Sequence, residues 1–316
     1  MQQDKKIGWL FPGQGSQVVG MGKTLAQASA AAREVFATAD AALGEPLSTL
    51  CFEGPMEELT LTANTQPALV TTSLAIVAAL RERFGDAVAP AFAAGHSLGE
   101  YSALAAAGVL SLEDAVRLCR RRGAAMQAAV PPGEGAMAAV MGLDAEAVTA
   151  VCVEVAGSEI VSPANFNAPG QVVIAGHAAA VLRASEAIVS RGGKVIPLKV
   201  SAPFHCALMR PARVALEPAL ASTSMGAFAF PVIANVDASP NVDPTRVQEL
   251  LLRQIDGAVL WTQAIEKMAA EGVTHALELG PGKVLAGLVK RIAKSIKVLN
   301  VSDPAGIDAV QAFLEA

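Results

Sequence analysis

Gly95-His96-Ser97-Leu98-Gly99 is the stretch on which the reading of this chain turns. Ahead of it lies the apolar run Ala87–Ala94, with its Val, Phe and Pro, which reads as a buried strand. Behind it, Glu100–Ala107 is rich in Ala and Leu and reads as a helix. A strand, a Gly-x-Ser-x-Gly turn and a helix make a nucleophile elbow. The turn is too tight for Cβ atoms at its flanks, and the central Ser is held in a strained backbone conformation. That geometry lifts the Ser97 hydroxyl clear of the sheet. It also points the next backbone N–H, that of Leu98, at whatever the hydroxyl attacks.

A serine hydroxyl is a poor nucleophile until a base takes its proton. The chain offers four histidines. His96 adjoins the serine and is expected to face the other side of the turn in a structural role. His177 follows Ala175-Gly176 and reads as a helix cap, and His275 alternates within a strand. His205, in Ser201-Ala202-Pro203-Phe204-His205-Cys206, sits in a rigid segment after a strand and before a helix, where a base belongs. The third member of a triad is ordinarily a carboxylate. Glu100, Asp114 and Asp237 all follow the elbow, but none lies in a segment that marks it as that partner. A Ser–His dyad, with a backbone carbonyl or an amide holding the imidazole, fits equally.

The remaining sequence bounds the answer. The chain has 316 residues, enough for one large domain or two unequal ones. Acidic residues number 29 against 24 basic, a net charge of −5, which argues against nucleic acid as a partner. No stretch reads as membrane-spanning: Leu61–Leu80 is interrupted by Asn64, Gln66, Pro67 and several Thr. The polar start Met1–Lys6 shows no secretory signal, so the cytoplasm is the expected location. Cys51, Cys119, Cys152 and Cys206 stand apart and, with the histidines, show no metal-ligand spacing beyond the adjacent His205-Cys206. Neither a metal nor a disulfide framework is expected.

Ile7–Phe11 reads as a strand ending in Pro12-Gly13-Gln14-Gly15-Ser16-Gln17. This loop lacks the third glycine of a dinucleotide fingerprint and the Lys-Ser/Thr of a Walker loop. It lies instead at the carboxyl end of a strand, where open α/β sheets place ligands. Helices are expected over Thr24–Leu43 and over Pro67–Phe84, the second capped by Asn64-Thr65-Gln66, and another from a capping box at Ser111 and Asp114. From Gly135 the order becomes β-α-β-β-α-β, ending in a strand over Lys194–Val200, which is the ferredoxin-like order. The predicted organisation is an α/β-hydrolase-like core with a parallel sheet, residues 1–131 and 201–316, with a ferredoxin-like subdomain at 132–200 inserted.

Taken together, the motifs resemble the malonyl-CoA:acyl carrier protein transacylases and the acyltransferase domains of polyketide and fatty-acid synthases. The stretches that carry the resemblance are Phe11–Gln17, Asn64-Thr65-Gln66-Pro67, Gly95–Glu100 and Arg122-Gly123, then Asn165–Gln171, Phe204-His205 and Glu278–Gly282. They span nearly the whole chain in the family's order. The resemblance implies Ser97 as nucleophile, His205 as base, and the carbonyl or side chain of Gln254 in place of the acid. It implies an oxyanion hole from the N–H groups of Gln14 and Leu98. Arg122 would take the free carboxylate of a malonyl group, since a guanidinium offers two parallel hydrogen bonds that Lys cannot copy. By composition alone, Arg122 in the run Arg120-Arg121-Arg122 would be a surface residue.

Gln66 would line the pocket, and Phe204 would favour malonyl because methylmalonyl-accepting domains tend to have a smaller residue there. Malonyl-CoA and acyl carrier protein would be the partners, the second acidic and met by Lys290, Arg291 and Lys294. Those cations read equally well as a solvated helix face. No cofactor is implied, and a monomer is expected. A serine thioesterase or esterase, a polyketide-pathway acyltransferase and a non-catalytic acyl-binding module are the alternatives.

Overall fold

Ten strands organise the described residues: β1 (Lys6–Phe11), β2 (Phe92–Gly95), β3 (Gly135–Met141), β4 (Val161–Ala168), β5 (Gln171–His177), β6 (Lys194–Pro197), β7 (Val232–Ile233), β8 (Pro240–Asn241), β9 (Val273–Leu279) and β10 (Lys297–Val301). The computed structural model describes residues 5–316. Met1 to Asp4, part of the polar start read for targeting, lie outside the described residues.

One sheet runs β10-β9-β1-β2-β7-β8. Its pairs are parallel except β7 with β8, which closes the edge antiparallel. β1 and β2 are central, and their carboxyl ends are in register, with Phe11 opposite Gly95. The two loops that leave them, Pro12–Gln17 and His96–Leu98, therefore start side by side. The central strands read as near-continuous apolar runs because helices cover both faces. Trp9 and Phe11 point into one core cluster and Leu10 into the other.

The second sheet, β4-β5-β3-β6, is antiparallel. With helices Ala145–Ala156 and Ala178–Ser190 it follows the predicted β-α-β-β-α-β order over Gly135–Pro197. Its own apolar cluster includes Val140, Val151, Ile174 and Ile188. The last strand stops at Pro197 rather than running to Val200: Leu198, Lys199 and Val200 leave the sheet to line the cavity described below.

Other local expectations change as well. The helix expected over Thr24–Leu43 is two, Lys23–Ala28 and Ala30–Leu43, because Ser29 turns extended and its hydroxyl caps the second through the Ala32 N–H. The strand expected over Ala87–Ala94 is only Phe92–Gly95, preceded by a short 3₁₀ turn at Gly85–Val88. The long helix begins at Thr62, not after Gln66, so Pro67 lies inside it. Pro67 has no N–H to give the Ala63 carbonyl, and Arg120 Nη1 donates to that carbonyl at 2.8 Å instead. The segment Thr62–Val88 is in fact long and apolar enough to cross a membrane, but 83% of its most apolar window is buried inside the protein, as in a core helix.

Candidate active site

The elbow forms as its glycines require. A Cβ on Gly95 would lie 1.8 Å from the Gly99 carbonyl carbon, and one on Gly99 would lie 2.1 Å from the Phe11 carbonyl oxygen. Strand, turn and helix can pack this closely only without side chains at both positions. Ser97 sits at φ 51°, in the left-handed region that costs a non-glycine residue roughly 1–3 kcal/mol. Its N–H is fixed by Asn235 Oδ1 at 2.7 Å, and Asn235 Nδ2 donates to the Gly95 carbonyl at 2.7 Å. One asparagine thus braces both sides of the strained turn.

His205 is the histidine brought to the serine. Its Nε2 lies 2.6 Å from Ser97 Oγ. Its Nδ1 lies 2.8 Å from the Gln254 carbonyl oxygen, so the assigned tautomer carries the proton on Nδ1 and leaves Nε2 to accept from the hydroxyl. No carboxylate touches the ring among the described residues. Of the two options for Gln254 it is the backbone carbonyl that orients the imidazole. His205 is 4% exposed, and burial, followed by the positive charge of Arg122, pulls it down from 6.5 to about 3. It stays neutral, as a proton acceptor must.

Arg122 is not a surface residue. The helix Leu112–Ala128, capped by Ser111 as expected, turns it inward to 1% exposure while Arg121 faces solvent. Nη1 donates to Gln66 Oε1 at 2.9 Å, and Nη2 donates to Gln254 Oε1 at 2.8 Å and Ser97 Oγ at 3.0 Å. The guanidinium carbon lies 5.5 Å from the centre of the Tyr101 ring, whose face favours a cation. All of these partners are neutral, and Nε is unpaired. A buried cation surrounded by dipoles is expensive until an anion joins it. This site is therefore suited to an acyl chain that carries a negative charge.

The Gln14 and Leu98 N–H groups meet no acceptor among the described residues, and both residues line the same cavity, of about 200 Å³. Leu98 also starts the elbow helix, whose positive end favours developing negative charge. Gln66, Phe204, Met126 and Met137 form the apolar and amide wall. Gln66 is a wall residue inside the long helix and not its cap.

His96 departs from the expectation that it faces away: it lines the cavity, with Nε2 2.8 Å from Asn167 Oδ1 and its ring against Trp261. His177 occupies a helix N-cap position, but its side chain does no capping; its Nδ1 accepts from the Ile160 N–H. His275 is a buried residue of β9, as read. Lys290, Arg291 and Lys294 line a separate surface groove with Pro169 and Ile296. Sequence reasoning missed Asn235 and Asn165, the latter 7% exposed and facing the cavity. Asn165 lay within a quoted motif without a role, whereas nothing local marks Asn235.

An elbow serine, a neutral histidine and free N–H donors define a serine enzyme of the acyl-transfer class. The chain belongs to the acyl transferase domain family, which it matches over residues 8–309. It is 48% identical over 305 residues to the malonyl CoA-acyl carrier protein transacylase of Escherichia coli strain K12, covering 96% of this chain and 98% of that one. Among solved structures, an acyl carrier protein S-malonyltransferase from Vibrio cholerae matches with a TM-score of 0.94 at 47% identity, covering 96% of this chain and 99% of that one. A malonyl-transacylase solved in complex with its type II PKS acyl-carrier protein matches with a TM-score of 0.94 at 45% identity, over 98% of this chain and 100% of that one.

Proposed function

We propose that this protein moves a malonyl group from malonyl-CoA to the phosphopantetheine thiol of an acyl carrier protein, through an ester on Ser97, as a cytoplasmic step of fatty-acid biosynthesis. The observation that carries the reading is Arg122: a buried guanidinium with only neutral partners, 3.0 Å from the attacking oxygen. The names borne by its relatives agree with it.

His205 Nε2 takes the Ser97 proton as Oγ attacks the thioester carbonyl. The oxyanion forms against the N–H groups of Gln14 and Leu98, donors worth roughly 3–4 kcal/mol each in related chemistry. When the carbon–sulfur bond breaks, His205 returns the proton to the departing CoA sulfur. The carrier thiol then gives its proton to His205 and attacks the ester. As the carbon–oxygen bond to Ser97 breaks, His205 returns that proton to Oγ and the serine hydroxyl is restored. Arg122 holds the malonyl carboxylate throughout, and Phe204 fills the space where a methyl branch on the α-carbon would go. The steps need no metal or redox cofactor. Mixing the protein with malonyl-CoA and carrier protein tests the reading: transfer should outpace release of free malonate. Faster malonate release would mark a hydrolase instead.

The lowered basicity of His205 sets the pH dependence of loading. kcat/KM for malonyl-CoA reports groups of the free enzyme, so it should stay flat from about pH 8 down to about pH 5, with no acid limb near 6.5. A limb centred at 6.5 would contradict the buried, neutral imidazole. Stability follows the same linkage. As pH falls from 6.5 toward 3, the unfolded chain binds a proton that buried His205 refuses, so His205 costs the native state stability in acid. Burial pushes Glu100 up from 4.5 to about 7, so it has the opposite slope and weakens the native state as pH rises between those values.

The carrier protein would meet the groove of Lys290, Arg291 and Lys294. Arg291 is tied to the turn after β4 through Gln171 Oε1 at 2.5 Å and the Pro169 carbonyl at 3.0 Å. Asn165 of β4 lines the catalytic cavity and Pro169 the groove, about 13 Å apart at the rise of an extended strand. Reversing all three charges to Glu should raise the KM for carrier protein about tenfold, more at low salt, and leave malonyl loading of Ser97 unchanged. Equal effects on both half-reactions would remove the groove from the reading.

A further inference from the structure

Glu100 is a buried carboxyl that the transfer chemistry does not touch. It is 2% exposed on the elbow helix, three residues past the serine. Its Oε2 accepts from Gln254 Nε2 at 2.7 Å and from the Asn235 backbone N–H at 3.2 Å. Gln254 Nε2 spends its other proton on the Ser97 carbonyl at 2.8 Å. With both amide protons committed, Gln254 Oε1 is left to face Arg122 Nη2 at 2.8 Å. Turning the amide over would set its NH₂ against the guanidinium and its oxygen against two acceptors.

We propose that Glu100 is a positioning residue for substrate selection, its carboxyl oxygen holding the Gln254 amide in the one orientation that aims Arg122 at the free carboxylate of the acyl group. The inference rests on the reading of Arg122 given above. Two of the three hydrogen bonds that Arg122 Nη1 and Nη2 donate end on glutamine oxygens. Gln66 uses its own Nε2 only on Met126 Sδ at 3.8 Å, a weak partner that pins its amide poorly. Gln254 is the partner whose orientation is imposed, and Glu100 supplies half of that constraint.

The Asn235 contact gives Glu100 a second arm, and the two arms have different consequences. Through Asn235 it supports the strained backbone of Ser97, and damage there falls on every acyl donor alike. Through the Gln254 amide it bears on Arg122, besides the Ser97 carbonyl that the same amide holds, and damage at Arg122 falls on donors that carry a carboxylate. What the Gln254 arm requires is an oxygen in the right place, not a charge: a neutral amide oxygen has the two lone pairs needed for both contacts. A carboxyl that burial pushes up to about 7 agrees with such a role.

The test measures kcat/KM for malonyl-CoA and acetyl-CoA, with holo carrier protein as acceptor, in the wild type, Glu100→Gln, Glu100→Asp and Glu100→Leu. Glu100→Gln should keep the malonyl-to-acetyl ratio within about threefold of the wild type. Glu100→Asp keeps the charge but draws the oxygen back by one methylene. It and Glu100→Leu should lower the ratio by about tenfold or more, chiefly through the KM for malonyl-CoA. The inverse ranking, with Asp preserving the ratio and Gln losing it, would overturn the proposal in favour of charge. Equal losses on both donors in Glu100→Asp would overturn it in favour of the Asn235 arm. Should Glu100→Leu fail to fold, the Gln and Asp variants still decide between these outcomes. Absence of malonyl transfer by the wild type would instead sink the reading of Arg122 itself, whatever the ranking.

Discussion

Arg122→Ala is expected to lower kcat/KM for malonyl-CoA by about 10²- to 10³-fold while leaving acetyl-CoA within about tenfold of its wild-type value. The size follows from the setting. Removing one partner of a buried, hydrogen-bonded ion pair costs about 3–5 kcal/mol because the other charge stays behind unpaired, and each 1.4 kcal/mol is a factor of ten. An acetyl group has no charge to strand, so it escapes most of the loss. The contact from Nη2 to Ser97 Oγ at 3.0 Å is shared by both donors and accounts for the residual effect on acetyl.

Arg122→Lys should recover only part of the loss, since a point charge cannot reproduce two parallel N–H bonds. The acid limb of kcat/KM should also move up in Arg122→Ala, because the arginine's charge is the second cause, after burial, of the lowered His205. A variant with an unchanged malonyl-to-acetyl ratio would show that the carboxylate lies elsewhere.

The same residue shows what the sequence conveys and what it withholds. Ser97 and its elbow were legible because the information is local: two glycines, a serine, a strand before and a helix after. The β-α-β-β-α-β block was legible for the same reason, since alternation and turn residues mark each piece in place. Arg122 read by itself as one of three adjacent surface arginines. Its inward face depends on which side of the helix Leu112–Ala128 packs against the helix Thr62–Phe84, and that is settled between distant segments. Asn235 is 138 residues from the serine whose N–H it holds, and Gln254 is 132 residues from Arg122. No spacing rule reaches across such separations.

The misreadings have equally physical causes. Asn64-Thr65-Gln66 before Pro67 reads as a cap because proline suits the first helical turn. The helix nonetheless begins earlier, since Arg120 satisfies the carbonyl that Pro67 leaves free. Leu198–Val200 continues the apolar alternation of a strand, yet the chain must leave the sheet there to bring Phe204 and His205 to Ser97. His96, next to Ser97, is expected on the other side of the turn in a structural role. The cavity, however, reaches both sides of that turn, so His96 and Ser97 both line it.

Ser97→Ala and His205→Ala are each expected to reduce transfer by about 10⁴- to 10⁶-fold, with the double variant no worse than the poorer single one. The non-additivity is the informative part. The 2.6 Å contact makes one reactive unit of the hydroxyl and the imidazole, so losing either removes the same step. The two singles still differ in one observable. Ser97→Ala has no oxygen to acylate and should show no added mass after exposure to malonyl-CoA. His205→Ala keeps the oxygen, the N–H donors of Gln14 and Leu98, and Arg122, and should acquire the malonyl mass slowly, faster at high pH where hydroxide can take the proton. With only the Gln254 carbonyl behind the imidazole, no carboxylate among the described residues touches the ring to stabilise an imidazolium. The proton that His205 accepts must therefore move on promptly as the carbon–sulfur bond breaks. A thiolate, a weaker base and better leaving group than an alkoxide or an amide, suits this dyad to thioester exchange. If the two single losses multiplied in the double variant, serine and histidine would be acting in separate steps, and the dyad assignment would fall.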